Sequence, residues 1–413
     1  MGAPGVIRQP IDSVGRLFVV GLAATFTIAH RLSTFFRVIG GTAEGRRAGV
    51  RSWSLRGDRA MISFWATQAN SFTIRNYCRN RGRTIADLFQ IHIYDEIGEV
   101  VQFPGATQIF SDIDLISNSQ RDIVRMIWDA HARKAPGVPR LNNARNVLLR
   151  FQLLNTLYER GINAFRVFRA TDAGALDRFP VFVREMNSHN GPLTDLLNTR
   201  GEVFAALCAL PLRGYRLGDL MIEEFCNTST ADGLFRKYSA FKVGGSIIPF
   251  HLYLSRQWCV KAAGNQPTEA HIREEDAYLE DNPHEGWLRR VFAIAGTDYG
   301  RIDYGVLNGV PQVWEINLNP SFGRRMEGQP HMSLAPHLSK LREAGREVVH
   351  TRLRNAFLAL DNAIDSPVTV AVEPVLLTRV RNEAARRQRR QWVFDRLRWV
   401  YRGFRRVSPQ PAP

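Results

Sequence analysis

Lysine is nearly missing from this chain of 413 residues: five (Lys134, Lys237, Lys242, Lys261, Lys340) stand beside fifty arginines. Arginine therefore serves wherever a generic positive charge suffices, and a lysine kept against that bias is of interest. Cysteine is scarce as well. Cys78, Cys208, Cys226 and Cys259 show no CxxC or Cys/His spacing, which excludes a recognisable disulfide framework or zinc site and makes a reducing compartment, the cytoplasm, the default. Long apolar runs are absent. The longest, LFVVGLAATFTIA at 17–29, is too short to span a bilayer. It has the length of a signal-peptide core, but HRLSTFFRVIGG follows without a small-residue cleavage pattern, which favours a buried helix or a start codon set too early. No internal repeat is present, so a repeat architecture is excluded.

Acid is in short supply too, and the formal charge is +16. Such a surplus raises nucleic acid or an anionic membrane as partner, so its location matters. Eleven arginines against Glu383 and Asp395 give +9 in 374–413, leaving +7 for the other 373 residues. The surplus is mostly a tail, and nucleic acid is not an expected partner. In the tail Val393, Leu397, Val400, Tyr401 and Phe404 recur at helical spacing among arginines. That pattern suits a helix lying on anionic lipid, with the protein peripheral at the membrane, or one meeting an acidic partner; a helix packed on its own domain fits equally.

With 45% apolar residues the chain fills ordinary cores. AMISFWATQ, FQIHIYDE and ATQIFSDI read as strands, and DLISNSQRDIVRMIWDAHARK has Ile113, Ile116, Ile123, Ile127 and Trp128 near helical period. After Pro136 and Pro139 comes a helix in NVLLRFQLLNTLYERG. Then NAFRVFRA and FPVFVREM look like successive strands, the second opening the loop NSHNGPLT. A helix in TDLLNTRGEVFAALCALP, capped by Thr194 or Asp195, should end at Pro211. DLMIEEFCN reads as a buried strand, and LFRKYSAFKVGGSIIPFHLYLS as a hairpin turning at Gly244 and Gly245. Past Pro330 the pattern is helical to about Asp365.

The densest chemistry lies at 301–323, RIDYGVLNGVPQVWEINLNPSFG. Two short strands joined by a tight turn carry Asp303 opposite Glu315 and Asn317, the last two on one face. Unpaired carboxylates in apolar surroundings cost several kcal/mol, so a cation is expected there. Two carboxylates and an amide oxygen are the hard donors that Mg²⁺ takes. Arg301, two before Asp303 on the same face, would repel that metal unless an anion such as phosphate lay between them. The competing reading is a solvated hairpin with polar residues outward.

This run resembles the C-terminal metal hairpin of ATP-grasp enzymes: R-x-D, then E-x-N about a dozen residues later, then N-P. The order upstream is similar over 136–325: Arg150 on an early helix, Arg184 on a strand entering the loop 187–191, and the hinge-like MIEEFC. The resemblance implies an α/β (α+β) chain with an ATP-grasp fold, a Rossmann-like pre-ATP-grasp domain and C-terminal helices. The divisions would be an N-terminal extension (1–50), the α/β domain (51–135), the ATP-grasp domain (136–330, split at 220/221) and a helical segment with the basic tail (331–413).

It also implies an ATP-dependent ligase using Mg²⁺ or Mn²⁺ held by Asp303, Glu315 and Asn317. The backbone of Glu224, Phe225 and Cys226 would read the adenine, Glu223 its exocyclic amine, and Asp232 the ribose. Arg150, Arg184, Lys237 and Arg301 would surround the triphosphate, with Lys237 and Arg301 acting in catalysis. Family members usually have lysine at the positions of Arg150 and Arg184. His189 and Gly191 would touch phosphate from the loop. Ser321, Gly323 and Arg324 would grip a carboxylate substrate, activated as an acylphosphate and passed to an amine or thiol. The alternatives are kinase-like transfer to another acceptor and a non-catalytic nucleotide-binding protein at a membrane surface.

Overall fold

The computed structural model describes residues 62–261, 267–323 and 336–407. The apolar run at 17–29 lies outside the described residues.

The first sheet is built from runs apolar on both faces. β1 (Ile62–Ala66) is buried at every position, as suits a central parallel strand covered on both sides. It pairs in parallel with β2 (Phe89–Ile93) and β3 (Val100–Phe110), and short β4 (Arg140–Leu141) pairs in parallel with β3. α1 (Phe72–Arg79) sends Ile74 and Tyr77 into the core that holds Phe64, and α2 (Asn118–Lys134) sends Ile123, Val124 and Ile127 into the one that holds Trp65. α2 is shorter than the periodicity predicts. Ser117 and Gln120 form a capping box that fixes its start, so Ile113 and Ile116 are buried in the loop before it.

The second sheet follows α3 (Arg150–Glu159). β5 (Val167–Arg169) and β6 (Val181–Glu185) are not neighbours; both flank β7 (Leu220–Glu224), antiparallel to it. The helix α4 (Arg200–Leu212) starts later than expected, because Thr199 caps it by accepting from Glu202 N. Thr194 lies on a segment running beside β6, where its hydroxyl accepts from Val183 N.

The third sheet is antiparallel, in the order β11-β10-β8-β9. β8 (Phe235–Val243) and β9 (Ser246–Ser255) form the expected hairpin, with Gly244 at φ +58°. Between β9 and β10 run α5 (Glu269–Asp281) and α6 (Glu285–Ala295). β10 (Tyr299–Leu307) and β11 (Val310–Asn317) turn through Asn308 and Gly309, whose positive φ values (50° and 80°) are the pair a two-residue hairpin needs.

After α7 (Pro336–Leu358) the chain departs from the helical reading. β12 (Ala363–Ala371) pairs antiparallel with the N-terminal half of β3, burying Val368 and Val370 in alternation, before α8 (Pro374–Val407) begins. The eleven-residue β3 runs well past its β4 pairing, and a period-two stretch, SPVTVAV, fills that edge.

One side chain ties the first sheet to the third. Asn142 is wholly buried at φ +66°. Its amide donates to the carbonyls of Phe110 (3.1 Å) and Tyr299 (2.7 Å), and its oxygen accepts from the N–H groups of Asp298 (2.8 Å) and Tyr299 (2.9 Å). It thereby fixes where β10 begins relative to the end of β3. Asn142→Ala should cost about 3 kcal/mol in urea unfolding, through stranded backbone groups and the left-handed φ. Asn142→Gly should cost about 1 kcal/mol less. Equal losses would remove the conformational part of this account.

Candidate active site

The hairpin register sets Asp303 directly opposite Glu315 and Arg301 opposite Asn317, with an irregularity after Asp303. Both carboxylates are largely buried, and each sits between two cations. Asp303 receives Lys237 Nζ on Oδ2 (2.6 Å) and Arg301 Nε on Oδ1 (3.0 Å). Glu315 Oε2 receives Arg150 Nη2 (2.7 Å) and Arg184 Nη2 (2.8 Å). Lys237 lies on β8, Arg184 on β6 and Arg150 at the first position of α3, so three separate regions of sequence converge on one hairpin. A cation at a helix N-terminus opposes the helix dipole, and Glu315 offsets that cost.

Burial alone would raise both carboxyl pKa values. Arg301 and Lys237 outweigh it at Asp303, which stays well below the usual carboxylate range. At Glu315, Arg150 and Arg184 outweigh burial and hold the group at about 2. Glu223 on β7 is the exception. Its burial dominates over Arg184, 3.7 Å away, and lifts it to about 7. Four cations against two firmly ionised carboxylates leave the cluster net positive near neutrality. An anion would be stabilised there.

Two residues that sequence spacing missed complete Asp303. Ser239 donates to its Oδ1 (2.6 Å) and is also bonded to His251 Nε2 (2.7 Å), whose ring stacks on Tyr253 at 4.0 Å between centroids. Burial, reinforced by Arg301, keeps His251 neutral. Since Ser239 has one proton and gives it to the carboxylate, His251 Nε2 carries the hydrogen and donates. The period-two relation of Ser239 to Lys237 on β8 was the available signal.

Several expected roles need correction. Arg150 is not a free phosphate cation: Nη1 donates to the carbonyls of Glu185 (3.2 Å), Met186 (3.1 Å) and Ser188 (2.7 Å), and Nη2 meets His189 Nδ1 (3.3 Å) besides Glu315. It clamps the loop 187–191. A lysine, with three donors around one point, could not hold this set, which gives a physical reason for arginine here.

The backbone after β7 is not free either. β7 is the central strand, Glu224 N donates to Arg166 O (3.0 Å), and Phe225 N to Pro180 O (2.9 Å). Glu224 turns to the other face and pairs with Arg166 (2.6 Å) and Arg178 (2.5 Å). Phe225 packs edge-on to Trp258, 5.9 Å between ring centroids. Asp232 pairs with Arg236 (2.8 Å), a β8 residue on the face opposite to Lys237, and so does not join the cluster. The carbonyl oxygen of the Asn317 side chain accepts from Asn319 N (2.9 Å), leaving it one further lone pair.

The remaining residues border the cluster. His189 Nε2 approaches Asp114 (3.3 Å). Gly191 has φ +85°, and a Cβ there would lie 3.8 Å from Lys261 Nζ, so this second retained lysine covers the loop. Ser321 O accepts from Arg301 Nη1 (3.3 Å), and Gly323 has φ +80° beside Phe250. Cys226 is half-buried, and its thiol is pushed up to about 11 by burial and Glu223. Arg324 lies outside the described residues.

Asn319, of the N-P pair, was likewise missed. It bonds Thr73 (2.5 Å) and donates to Asp112 Oδ2 (3.0 Å), which also takes Thr67 N (2.8 Å). The hairpin is thus tied to the carboxyl ends of the first parallel sheet.

A parallel α/β sheet, a three-stranded sheet bearing Arg184 and Glu223, and a four-stranded antiparallel sheet whose last hairpin carries R-x-D and E-x-N now stand together. These are the parts that the resemblance of the 301–323 run to ATP-grasp enzymes implies. Among solved structures, the chain is similar to a RimK-domain ATP-grasp protein of Sphaerobacter thermophilus (14% identity, 72% of this chain and 99% of that one, TM-score 0.40). It is similar also to D-alanine–D-alanine ligase of Bacillus anthracis (11%, 73% and 99%, 0.37) and to L-amino acid ligase of Bacillus licheniformis (12%, 63% and 68%, 0.34). No protein-family model and no curated protein matches the chain.

The donor set suits a nucleotide with a divalent ion. Asp303 and Glu315 offer hard oxygens, the surrounding cations offer charge to a polyanion, and Arg150 Nε, Arg184 Nε and Glu223 Oε2 are buried there without hydrogen-bond partners. Among the described residues no cluster of three or more His, Cys, Asp or Glu could hold a metal by itself, so the ion would need substrate oxygens as well.

Glu223 provides a pH test of this electrostatic map in metal-free, nucleotide-free protein. Its pKa is about 7 folded against 4.5 ordinarily. Between those values the folded state holds more protons than the unfolded, so stability falls as pH rises and levels off above about 7. Glu223→Gln removes this dependence: its melting temperature relative to the parent should climb from pH 5 to pH 7 and then flatten. A constant difference would mean that Glu223 is ordinarily ionised.

Proposed function

We propose that the chain is an ATP- and Mg²⁺-dependent ligase that activates a carboxylate as an acylphosphate and transfers it to an amine or thiol. The observation that carries this reading is the pair Asp303 and Glu315, opposed across the hairpin and each set between two cations. The ion would be held by Asp303, Glu315 and the free lone pair of Asn317, and would withdraw charge from the phosphates. Arg184, Lys237 and Arg301 exchange part of their carboxylate pairing for phosphate oxygens, which neutralises charge during transfer. Arg150 keeps the loop 187–191 in place for the phosphates.

The substrate carboxylate attacks the γ-phosphorus, and ADP leaves. The amine or thiol then attacks the acyl carbon, phosphate departs with the bonding pair, and the nucleophile loses its proton. Ser321 and Gly323, next to Arg301, are the proposed edge of the acid site. The domain division at 1–50, 51–135, 136–220, 221–330 and 331–413 belongs to the same reading, and the third sheet lies wholly within 221–330. A cytoplasmic setting belongs to the same reading and rests on the scarce, unpatterned cysteines, which are free. No described helix is long and apolar enough to cross a membrane.

The test is ADP release with pooled carboxylic acids and amines. It should require Mg²⁺ and an acid, and Asp303→Asn or Glu315→Gln should lower it about a thousandfold. ADP formed together with a stable phosphorylated acceptor would point to kinase-like transfer. ATP bound without turnover for any acceptor would leave a binding protein.

A further inference from the structure

The tail helix raises a question separate from the nucleotide site. α8 is 34 residues long, and its root belongs to the body: Leu377 is buried in the main core, with Leu376 and Val380 packed against that core. Two polar contacts follow, Ser119 Oγ donating to Glu383 Oε1 (3.0 Å) and Arg387 Nη1 donating to Leu115 O (3.0 Å). From Ala384 to Arg390 every side chain is exposed. Apart from the Arg387 contact, a helix packed on its own domain describes the first three turns only. The rest, to Val407, amounts to about 36 Å of helix.

That length carries nine arginines and a single acid, Asp395. At helical spacing such a concentration repels itself unless an opposite charge is supplied. Apolar groups are mixed in. Trp392 and Val393 are exposed (47% and 46%), and Arg396 stacks over Trp392 at 4.6 Å. Leu397, Trp399, Val400, Tyr401 and Phe404 follow in the sequence. A dissolved polyanion would satisfy the arginines and gain little from this apolar content. A boundary between anionic headgroups and hydrocarbon satisfies both.

We infer that α8 beyond Glu383 is a docking element for an anionic lipid surface, its root fixing the body to the membrane-bound helix. Arg386, Arg389, Arg390 and Arg396 would meet headgroups, with Trp392 and Val393 at the acyl boundary. Deleting the whole helix would remove core residues, so the test uses substitutions beyond the root. The full chain is sedimented with vesicles of phosphatidylcholine alone and of phosphatidylcholine with phosphatidylglycerol, at low and high salt. It should bind only the anionic vesicles and be released by salt.

The combined Arg386→Gln, Arg389→Gln, Arg390→Gln and Arg396→Gln variant should lose at least about a hundredfold in partitioning while melting with the parent. Trp392→Ser should weaken binding without changing its salt dependence. Binding to neither vesicle, equal binding by the fourfold variant, or tighter binding to single-stranded RNA than to anionic vesicles would overturn the inference.

Discussion

The ion-pair cluster at the Asp303–Glu315 hairpin is the constraint around which the chain is arranged. Two carboxylates removed from water need cations, and here the cations come from α3, β6, β8 and β10. Removing either acid would strand two buried positive charges, an arrangement that costs about 3–5 kcal/mol. The cluster thus joins the second and third sheets, while Asn142 and the Asp112–Asn319 contact join the third sheet to the first. Satisfying the carboxylates still leaves surplus positive charge and unpartnered arginine nitrogens. A site stable in that condition is prepared for a ligand rich in negative oxygens.

Arginine has a structural use here beyond its charge. At Arg150 one planar fork reaches three carbonyls, a histidine and a carboxylate, which sets the loop 187–191 from beneath. At Arg184 the guanidinium reaches toward Glu223 and Glu315 together. Lys237, by contrast, makes a compact contact to one oxygen of Asp303 and can exchange it by rotating a flexible stem. Arg150 thus serves to hold the loop, whereas the Lys237 contact is the one most readily exchanged.

Much of this was legible in the sequence because it obeys short periods. The two hairpins, the buried strand at MIEEF, and the shared face of Arg301, Asp303, Glu315 and Asn317 follow from alternation and turn chemistry alone. What was not legible depends on distant partners. β12 was missed because the helical reading ran on to about Asp365, and the short period-two run after it gains a partner only where β3 offers an edge. The backbone after β7 looked available because nothing local indicates that Arg166 and Pro180 occupy its N–H groups. Ser239, His251, Asn142 and Asn319 are ordinary polar residues until tertiary structure buries them beside one particular partner. Asp232, whose turn suggested a ribose contact, pairs with Arg236 on the face of β8 opposite to Lys237.

The central claim is that Asp303 and Glu315 share one divalent ion carrying the phosphates of a nucleotide. The most direct measurement is a crystal structure with ATP and Mn²⁺, located by anomalous scattering. The account predicts an anomalous peak within about 2.3 Å of an oxygen of each carboxylate, with Lys237 turned from Asp303 toward phosphate. Bound nucleotide with the Lys237–Asp303 and Arg184–Glu315 pairs intact, and the peak elsewhere, would contradict it.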